Sequence, residues 1–375
     1  MTATEARLGL IRGQAAPRNH NARTIAALTS NPGCARRAVM DAAGVDKQRI
    51  AACLGFPARF GQSQFAIARG NAFEAMVKAN GCAELLRLLR EQLRLPIPEV
   101  SYDDLEEVGG NTSRELRHAH TRRLLARAAA SGEDAGTMFD HPLLLLEVGG
   151  RPVYLEPDLI AFRLRGRFHV VEIKSFPLID GQADADRVAA AAIQSAVYVL
   201  ALRGLLGELG IGPDAVADEV FLVCPQNFSN RPAAATLEVR KQLTVLRRQL
   251  SRLERIDSLL EVLPPGLTFD LDPGPDGAPQ RPAADLAEAV GTVPARYAPE
   301  CLASCEMCFF CRHEAAGTAE ALGRAARDDL GGVEQVATVL SLARGAAEPA
   351  ADQAEAAAVL GAAARLRAEC LGEAV

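Results

Sequence analysis

The stretch LEPDLIAFRLRGRFHVVEIKSF, residues 155–176, decides the fold of this chain. Two runs with alternating apolar residues flank the turn signal RGR, and that pattern predicts a β-hairpin. A three-residue loop centred on Arg165 pairs residues whose numbers sum to 330, so that Asp158 lies opposite Glu172. Lys174 projects from the same face as Glu172, because successive strand side chains alternate between faces.

The rest of that strand face is apolar, with Ile160, Phe162, Phe168 and Val170. Two carboxylates and one lysine therefore project from a surface that belongs to the core. Like charges are costly to bury unless something neutralises them. A divalent cation does so, and hard oxygen ligands suit Mg²⁺ or Mn²⁺.

The lysine is informative because the chain has only four lysines, at positions 47, 78, 174 and 241. Arginine supplies nearly all other positive charge, so Lys174 indicates a need for a compact ammonium rather than a flat guanidinium. An exposed ion pair at a strand end is the alternative interpretation of the Glu-x-Lys triplet alone. Further polar residues then carry the argument. Gln194 and Tyr198 share one face of a predicted helix at 185–206, and Glu74 interrupts the apolar pattern of a helix predicted at 64–81.

Read in order, the segments RGNAFE, EPD, EIK and QSAVY resemble the RecB-like branch of the PD-(D/E)xK nuclease superfamily. The resemblance spans about residues 30–230. It implies that Glu74, Asp158 and Glu172 are metal ligands, with Asp158 and Glu172 counted among the catalytic residues. It also implies that Lys174 is the catalytic lysine. Gln194 and Tyr198 would contact substrate and brace the site.

Nine cysteines are present, and four of them occur in CLASCEMCFFC, residues 301–311. An odd number with such clustering is not a secreted disulfide framework and indicates metal binding. Structural zinc usually takes two separated pairs of ligands, whereas Cys305, Cys308 and Cys311 follow the C-x2-C-x2-C spacing of a ferredoxin loop. Ferredoxins take the fourth ligand from elsewhere in the chain, and Cys34, in NPGCARR, is the candidate.

The same nuclease group offers a second resemblance. In the AddB helicase–nucleases and the CRISPR-associated RecB-like exonucleases, one cysteine before the nuclease core and three after it hold a 4Fe–4S cluster. The family spacing would select Cys301, Cys305 and Cys311, whereas the ferredoxin spacing selects Cys305, Cys308 and Cys311. Both choices include Cys305 and Cys311, with Cys34 as the upstream candidate, and the third downstream ligand stays open. The other four cysteines are interpreted as packing residues: Cys53, Cys82, Cys224 and Cys370.

The chain has a net charge of −6, so DNA contacts must be local rather than a general basic coat. Candidate phosphate contacts are Arg36, Arg37, Arg59 and Arg69, and arginines 163, 165 and 167 lie at the hairpin turn. The N-terminal residues lack the apolar run of a signal peptide, and no apolar run has the length of a membrane span. These features predict a cytoplasmic protein with no membrane partner.

The predicted fold class is α/β, a restriction-endonuclease-like mixed central sheet flanked by helices, with helical additions and a C-terminal cysteine cluster. The expected organisation is an N-terminal arm at 1–30, a nuclease core at 31–230 with a helical insertion about 82–140, a long helix at 231–263, a Pro/Gly-rich linker at 264–298, an iron–sulfur segment at 299–315 and an Ala-rich helical tail at 316–375.

The leading hypothesis is a Mg²⁺- or Mn²⁺-dependent DNA nuclease, an exonuclease acting on single-stranded ends, with a structural 4Fe–4S cluster. The resemblance fits DNA repair or antiviral defence, with the helical tail docking a helicase or another subunit of such a complex. One alternative is a catalytically silent nucleic-acid-binding or scaffold subunit. Another is a zinc protein in which only the segment 301–311 matters.

Overall fold

The computed structural model describes residues 2–58, 64–95, 97, 100–110, 112–130, 137–227 and 229–372. The chain divides into two compact units, each assembled from segments that are discontinuous in sequence. The first unit contains Met1–Arg18, Gly33–Phe60 and Leu259–Val375, and the second contains Asn19–Pro32 and Gly61–Ser258. All six residues of the predicted nuclease site belong to the second unit, and the five cysteines of the predicted cluster belong to the first.

The helices are α1 (Ala3–Arg12), α2 (Ala22–Ser30), α3 (Ala35–Ala43), α4 (Lys47–Cys53), α5 (Gln64–Glu91), α6 (Arg114–Ala130), α7 (Ala185–Glu208), α8 (Arg240–Leu250), α9 (Ile256–Val262), α10 (Ala283–Gly291), α11 (Cys301–Ser304), α12 (Cys308–Glu314), α13 (Arg324–Asp329), α14 (Val336–Ala343) and α15 (Ala354–Leu371). The strands are β1 (Ser101–Asp104), β2 (Thr137–Asp140), β3 (Leu144–Val148), β4 (Arg151–Leu155), β5 (Leu159–Leu164), β6 (Arg167–Ile173), β7 (Glu219–Pro225) and β8 (Pro232–Glu238).

The second unit is built on a six-stranded sheet with the order β1-β2-β5-β6-β7-β8. The pairs β1/β2 and β6/β7 are parallel, and the other three pairs are antiparallel. This architecture confirms the predicted mixed α/β sheet flanked by helices. Strands β3 and β4 form a separate two-stranded sheet.

The hairpin of β5 and β6 has the predicted register where the site lies. Leu159 pairs with Val171, which places Asp158 opposite Glu172 at the end of the ladder. The predicted three-residue loop is wrong, because Leu164 pairs with Arg167 and the turn is a two-residue turn. Both turn residues have positive φ, as in the type I′ turns that match strand twist. An irregularity between Ala161 and Leu164 absorbs the one-residue shift.

The predicted long helix at 231–263 is also wrong. The segment forms strand β8 and then two helices, α8 and α9. β8 pairs antiparallel with the whole of β7, from Glu219 opposite Glu238 to Pro225 opposite Pro232. The alanines of β8 favour a helix locally, but the exposed edge of the buried strand β7 supplies a ladder of hydrogen bonds that overrides this preference. Similarly, the predicted helical insertion about 82–140 contributes strands β1 and β2 to the sheet.

Helices α5 and α7 place site residues beside the sheet. α5 departs from helical geometry at Ala79–Cys82, which agrees with the helix end predicted at Gly81. α7 is long and apolar enough to cross a membrane by length and composition alone. Just over half of its apolar window is buried in the fold, and it packs against α2, α8 and β3 as a core helix does.

The first unit surrounds the cysteine segment with short helices. Cys34 is the residue that precedes α3, and α11 and α12 contain or flank the other four cysteines. Helices α14 and α15 pack together through a small apolar cluster that includes Val339 and Leu342. The outer face of α15 leaves Val359 and Leu366 exposed.

Candidate active site

The end of the β5–β6 hairpin brings together three of the predicted residues. Asp158 accepts a hydrogen bond from the backbone N–H of Ile173 at 2.7 Å, which fixes its carboxylate against β6. Glu172 is only 1% exposed, and one of its oxygens, Oε1, forms an ion pair with the ammonium of Lys174. The N–H of Lys174 donates to Val223 O on β7 at 2.8 Å, so the lysine continues the sheet beyond the end of β6.

The other oxygen of Glu172 is the most informative atom of the site. Glu172 Oε2 is buried and has no hydrogen-bond partner among the residues that the structure describes. Burial and the charge of Asp158 raise the pKa of Glu172 to about 8, against the stabilising effect of Lys174. Burial also raises the pKa of Asp158; Lys174 opposes this rise and Glu74 adds to it. Such mutually destabilised carboxylates are the arrangement that a bound divalent cation relieves.

Glu74 lies on α5 and is held by a lysine that the sequence analysis did not assign to the site. Lys78 Nζ lies 2.5 Å from Glu74 Oε1 and 2.7 Å from Asp140 Oδ1. Asp140 is 2% exposed and also accepts a hydrogen bond from the hydroxyl of Tyr102. Burial disfavours the charged form of Lys78, but Asp140 and Glu74 outweigh this effect and raise its pKa, so Lys78 stays a cation.

A sequence signal for Lys78 did exist, since it follows Glu74 by four residues on a predicted helix and is one of only four lysines. Asp140 gave no such signal, because only strand pairing brings β2 beside β5. Asp140 also lies near Asp104 and His141, and these three residues offer ligand atoms within 4.8 Å of one another. Exposed acidic groups often cluster without an ion, and Asp140 already has Lys78 and Tyr102 as partners.

Helix α7 contributes the two residues predicted from the QSAVY segment. Tyr198 is 9% exposed, and its hydroxyl lies within electrostatic range of Glu172 and Asp158. Burial and these two carboxylates raise the pKa of Tyr198 well above its usual value, so the phenol keeps its proton. Gln194 lies one turn earlier on α7 and is half-buried.

Two exposed arginines of the second unit lie near the carboxylates. Arg69 on α5 donates to Ser175 O at 3.1 Å, directly after Lys174. Arg23 on α2 lies close enough to Lys174 and Tyr198 to oppose slightly the rise in the pKa of each. Arg69 was predicted as a phosphate contact, whereas Arg23 was not singled out, because nothing in its local sequence links α2 to α7.

The structure does not place the other predicted phosphate contacts beside the carboxylates. Arg36 and Arg37 are only 3% and 4% exposed, which contradicts a role as surface phosphate contacts. Their apolar neighbours on α3 and the downstream cysteine segment cover them. Arg59 and the side chain of Arg163 lie outside the described residues. Arg165 and Arg167 are exposed at the hairpin turn.

The cysteine segment and Cys34 come together within the first unit. All five cysteines are buried, with exposures of 8% or less: Cys34, Cys301, Cys305, Cys308 and Cys311. Cys34 lies close enough to Cys311 to raise the pKa of that thiol, and Cys301 does the same for Cys308, each adding to the larger effect of burial. Burial raises the pKa of Cys305 to about 12, while the cations Arg37 and Lys47 oppose this rise.

The remaining cysteines are separate from this group. Cys82 and Cys224 are buried in the second unit, where burial raises the pKa of each to about 12, as expected for packing residues. Cys53 is half-buried. Cys370 is exposed near the end of α15, so the expectation that it is a packing residue is wrong.

Comparisons with known proteins are sparse. No family model matches the chain, and no curated protein matches its sequence. Among solved structures, a candidate exonuclease from Eubacterium rectale is 12% identical with a TM-score of 0.30, over 69% of this chain and 84% of that one. SSO0001 is 12% identical with a TM-score of 0.19, over 54% of this chain and 83% of that one. At TM-scores this low neither likeness carries an argument, so function is inferred from the residues themselves.

Proposed function

We propose that this protein is a metal-dependent DNA nuclease that hydrolyses phosphodiester bonds, and that it belongs to the RecB-like branch of the PD-(D/E)xK superfamily. One observation carries the proposal above all others. The buried oxygen Oε2 of Glu172 lacks a partner, beside a second carboxylate and a lysine on the same hairpin. A buried carboxylate without a partner is costly, and a hard divalent cation is the ligand that such oxygens favour.

Three carboxylates would hold the cation: Asp158 and Glu172 from the hairpin, and Glu74 from α5. They fit Mg²⁺ or Mn²⁺, since all three offer oxygen and each raises the pKa of a neighbour or has its own pKa raised. When bound, such an ion lowers the pKa of a water molecule and neutralises charge on a phosphate oxygen. Lys174 keeps its proton and supplies a fixed positive charge where negative charge accumulates during hydrolysis.

The surrounding residues have separable tasks in this proposal. Tyr198 stays protonated at neutral pH and so acts as a hydrogen-bond donor, not as a base. Gln194, one turn away, is positioned to contact the nucleotide from the same helix. Arg69 and Arg23 carry exposed positive charge close to Lys174 and bind backbone phosphates. Binding through phosphates implies cleavage that does not depend on base sequence.

The buried cysteines support a structural 4Fe–4S cluster in the first unit. Iron–sulfur clusters are held by four thiolates in a site protected from solvent. Cys34, Cys305 and Cys311 are three of these ligands in both spacing schemes, and Cys301 or Cys308 is the fourth. A buried arginine N–H next to Cys305 also lacks a partner in the described part of the chain, as expected if an anion belongs there. The helical tail, with its exposed apolar residues, is the proposed docking surface for a helicase or another protein of a repair or defence complex.

Degradation of end-labelled DNA tests the nuclease proposal. The wild-type protein, purified without oxygen, is incubated with linear single-stranded, linear double-stranded and circular single-stranded DNA, each with Mg²⁺ or Mn²⁺ and with EDTA. We expect metal-dependent loss of linear single strands and survival of circles, as for an exonuclease acting on ends. Two lysine variants are compared with it: Lys174→Ala at the site, and Lys241→Ala, at an exposed position of α8, as the matched control.

The outcomes separate the candidate functions. Cleavage by wild type and Lys241→Ala, but not by Lys174→Ala, supports a nuclease centred on the EIK segment. Equal cleavage by all three proteins excludes this site. DNA binding without cleavage by any of them, in protein that holds its cluster, favours the catalytically silent binding subunit.

A further inference from the structure

Three buried cations surround the cysteine segment of the first unit. Arg36, Arg37 and Lys47 are 3%, 4% and 6% exposed, although arginine and lysine are rarely buried. Burying a cation is costly unless it is neutralised nearby. Since they come from α3 and the start of α4, their position beside the downstream cysteines depends on the tertiary fold.

Three carboxylates face these three cations, and two of them are partly exposed. Arg36 forms an ion pair with Glu314, whose side chain is 34% exposed. Arg37 and Lys47 share the single buried carboxylate of Asp41, with Arg37 Nε at 3.3 Å from Asp41 Oδ2. Lys47 also lies 3.3 Å from Glu306, whose side chain is 28% exposed. Of these three carboxylates only Asp41 is a buried residue, so solvent weakens the effect of Glu306 and Glu314 on the buried cations.

Sulfur atoms complete the surroundings of the two arginines. Arg36 Nη1 lies 3.3 Å from Cys311 Sγ, within hydrogen-bonding distance. Burial disfavours the charged form of Arg37, but Asp41 and Cys305 outweigh it and raise its pKa. Arg37 Nη1 is buried, and the part of the chain that the structure describes offers it no acceptor. An unpaired buried N–H costs about 1–3 kcal/mol, so an acceptor belongs at this position.

We infer that Arg36, Arg37 and Lys47 form a cationic collar that neutralises the iron–sulfur cluster, and that Arg37 donates its free N–H to a sulfur at the Cys305 corner. This inference rests on the cluster in the proposed function. Net charge and hydrogen bonds to the sulfurs set the reduction potential of such clusters. The collar therefore favours the reduced, more negative cluster and keeps the iron bound. It also explains why the two arginines of NPGCARR are buried and do not contact DNA.

The test measures the cluster itself in the full-length protein. Wild type and Arg37→Gln are purified anaerobically, and iron content, reduction potential and the rate of iron release to a chelator are determined. Loss of the guanidinium charge, together with a side chain too short to bring its amide N–H to the sulfur, should shift the one-electron reduction equilibrium about tenfold toward the oxidised form. This corresponds to about 60 mV toward lower potential. Iron release should be several-fold faster.

Two further variants keep the proposal falsifiable. Arg312→Gln neutralises an exposed arginine next to Cys311 and should change neither quantity, since solvent screens its charge. Arg37→Lys keeps the charge without the fork-shaped donor. Its reduction potential should shift less than that of Arg37→Gln, and it provides a test of the collar where Arg37→Gln folds poorly. A cluster whose potential and iron release are the same in wild type and both Arg37 variants overturns the collar and leaves the cluster intact. Wild-type protein without iron overturns the cluster and the collar together, whatever its nuclease activity.

Discussion

The burial of Glu172 should make the free energy of unfolding depend on pH. Its carboxyl group is 1% exposed, and burial and Asp158 raise its pKa to about 8 from the ordinary 4.5. An acid whose pKa is raised in the folded state destabilises that state at every pH above its unfolded pKa, and the cost grows until the folded pKa is reached. Without metal, the wild-type protein should therefore lose stability as pH rises from 4.5 to 8. The variant Glu172→Gln has no proton to lose and should escape this loss.

The size of the effect follows from the same two values. Each pH unit between them is worth about 1.4 kcal/mol. The stability gained by Glu172→Gln should thus be under about 1 kcal/mol at pH 5 and reach about 4 kcal/mol at pH 8. Lys174 lowers the pKa of Glu172, so its attraction to the carboxylate is already contained in the value of about 8. The prediction concerns how the stability difference between wild type and Glu172→Gln changes with pH, and not its absolute size at any one pH.

Urea unfolding followed by circular dichroism measures this slope. Wild type and Glu172→Gln are compared in EDTA at pH 5, 6, 7 and 8, under anaerobic conditions. Glu147→Gln is the matched control, since Glu147 is an exposed strand residue of the same unit. Its stability difference from wild type should be small and independent of pH.

A parallel measurement with Mn²⁺ links stability to function. Metal at about 100 times its dissociation constant should stabilise wild type by about 2.7 kcal/mol, and Glu172→Gln by much less. A difference between wild type and Glu172→Gln that stays constant from pH 5 to pH 8 would refute the reasoning, since the carboxylate would then not be the uncompensated group. Equal stabilisation of both proteins by Mn²⁺ would show that the metal binds elsewhere.

Four further outcomes are expected. Asp158→Asn should lower metal-dependent cleavage more than about 100-fold in the end-labelled assay, since losses in the outer shell of a metal site already cost 10–100-fold. Tyr198→Phe should leave the melting temperature nearly unchanged and lower single-turnover cleavage about tenfold, the worth of one hydrogen bond to the reacting group. Lys78→Met should cost about 3–5 kcal/mol in urea unfolding, because it leaves Asp140 buried without its cation, and adding Asp140→Asn should recover most of this loss. Arg69→Gln should weaken DNA binding equally for all sequences and reduce the slope of log affinity against log salt by about 1.

Local sequence patterns predicted the hairpin that carries the site. Alternation of apolar residues over 155–176, with Gly166 in the turn, predicted two strands. Pairing outward from the turn then placed Asp158 opposite Glu172. The predicted turn length is wrong because a strand irregularity between Ala161 and Leu164 shifts the register by one residue, and such irregularities leave no clear trace in sequence. The period of α7 likewise placed Gln194 and Tyr198 on one face.

Patterns along the chain did not predict partners that are distant in sequence. The alanines of β8 predict a helix, but pairing with β7 decides its conformation. Asp140 and Lys78 meet only because β2 pairs with β5 beside α5.

The two arginines of NPGCARR show the same limit most clearly. Their charge alone favoured a surface contact with phosphate, but packing against the cysteine segment, more than 250 residues away in sequence, buries them. The sequence by itself predicted that Asp158, Glu172 and Lys174 share one strand face, since residue type and the short periods of strands and helices are local properties. The tertiary structure alone decided which charges are buried and which face solvent, because burial depends on contacts between distant segments, and burial sets the cost of each charge.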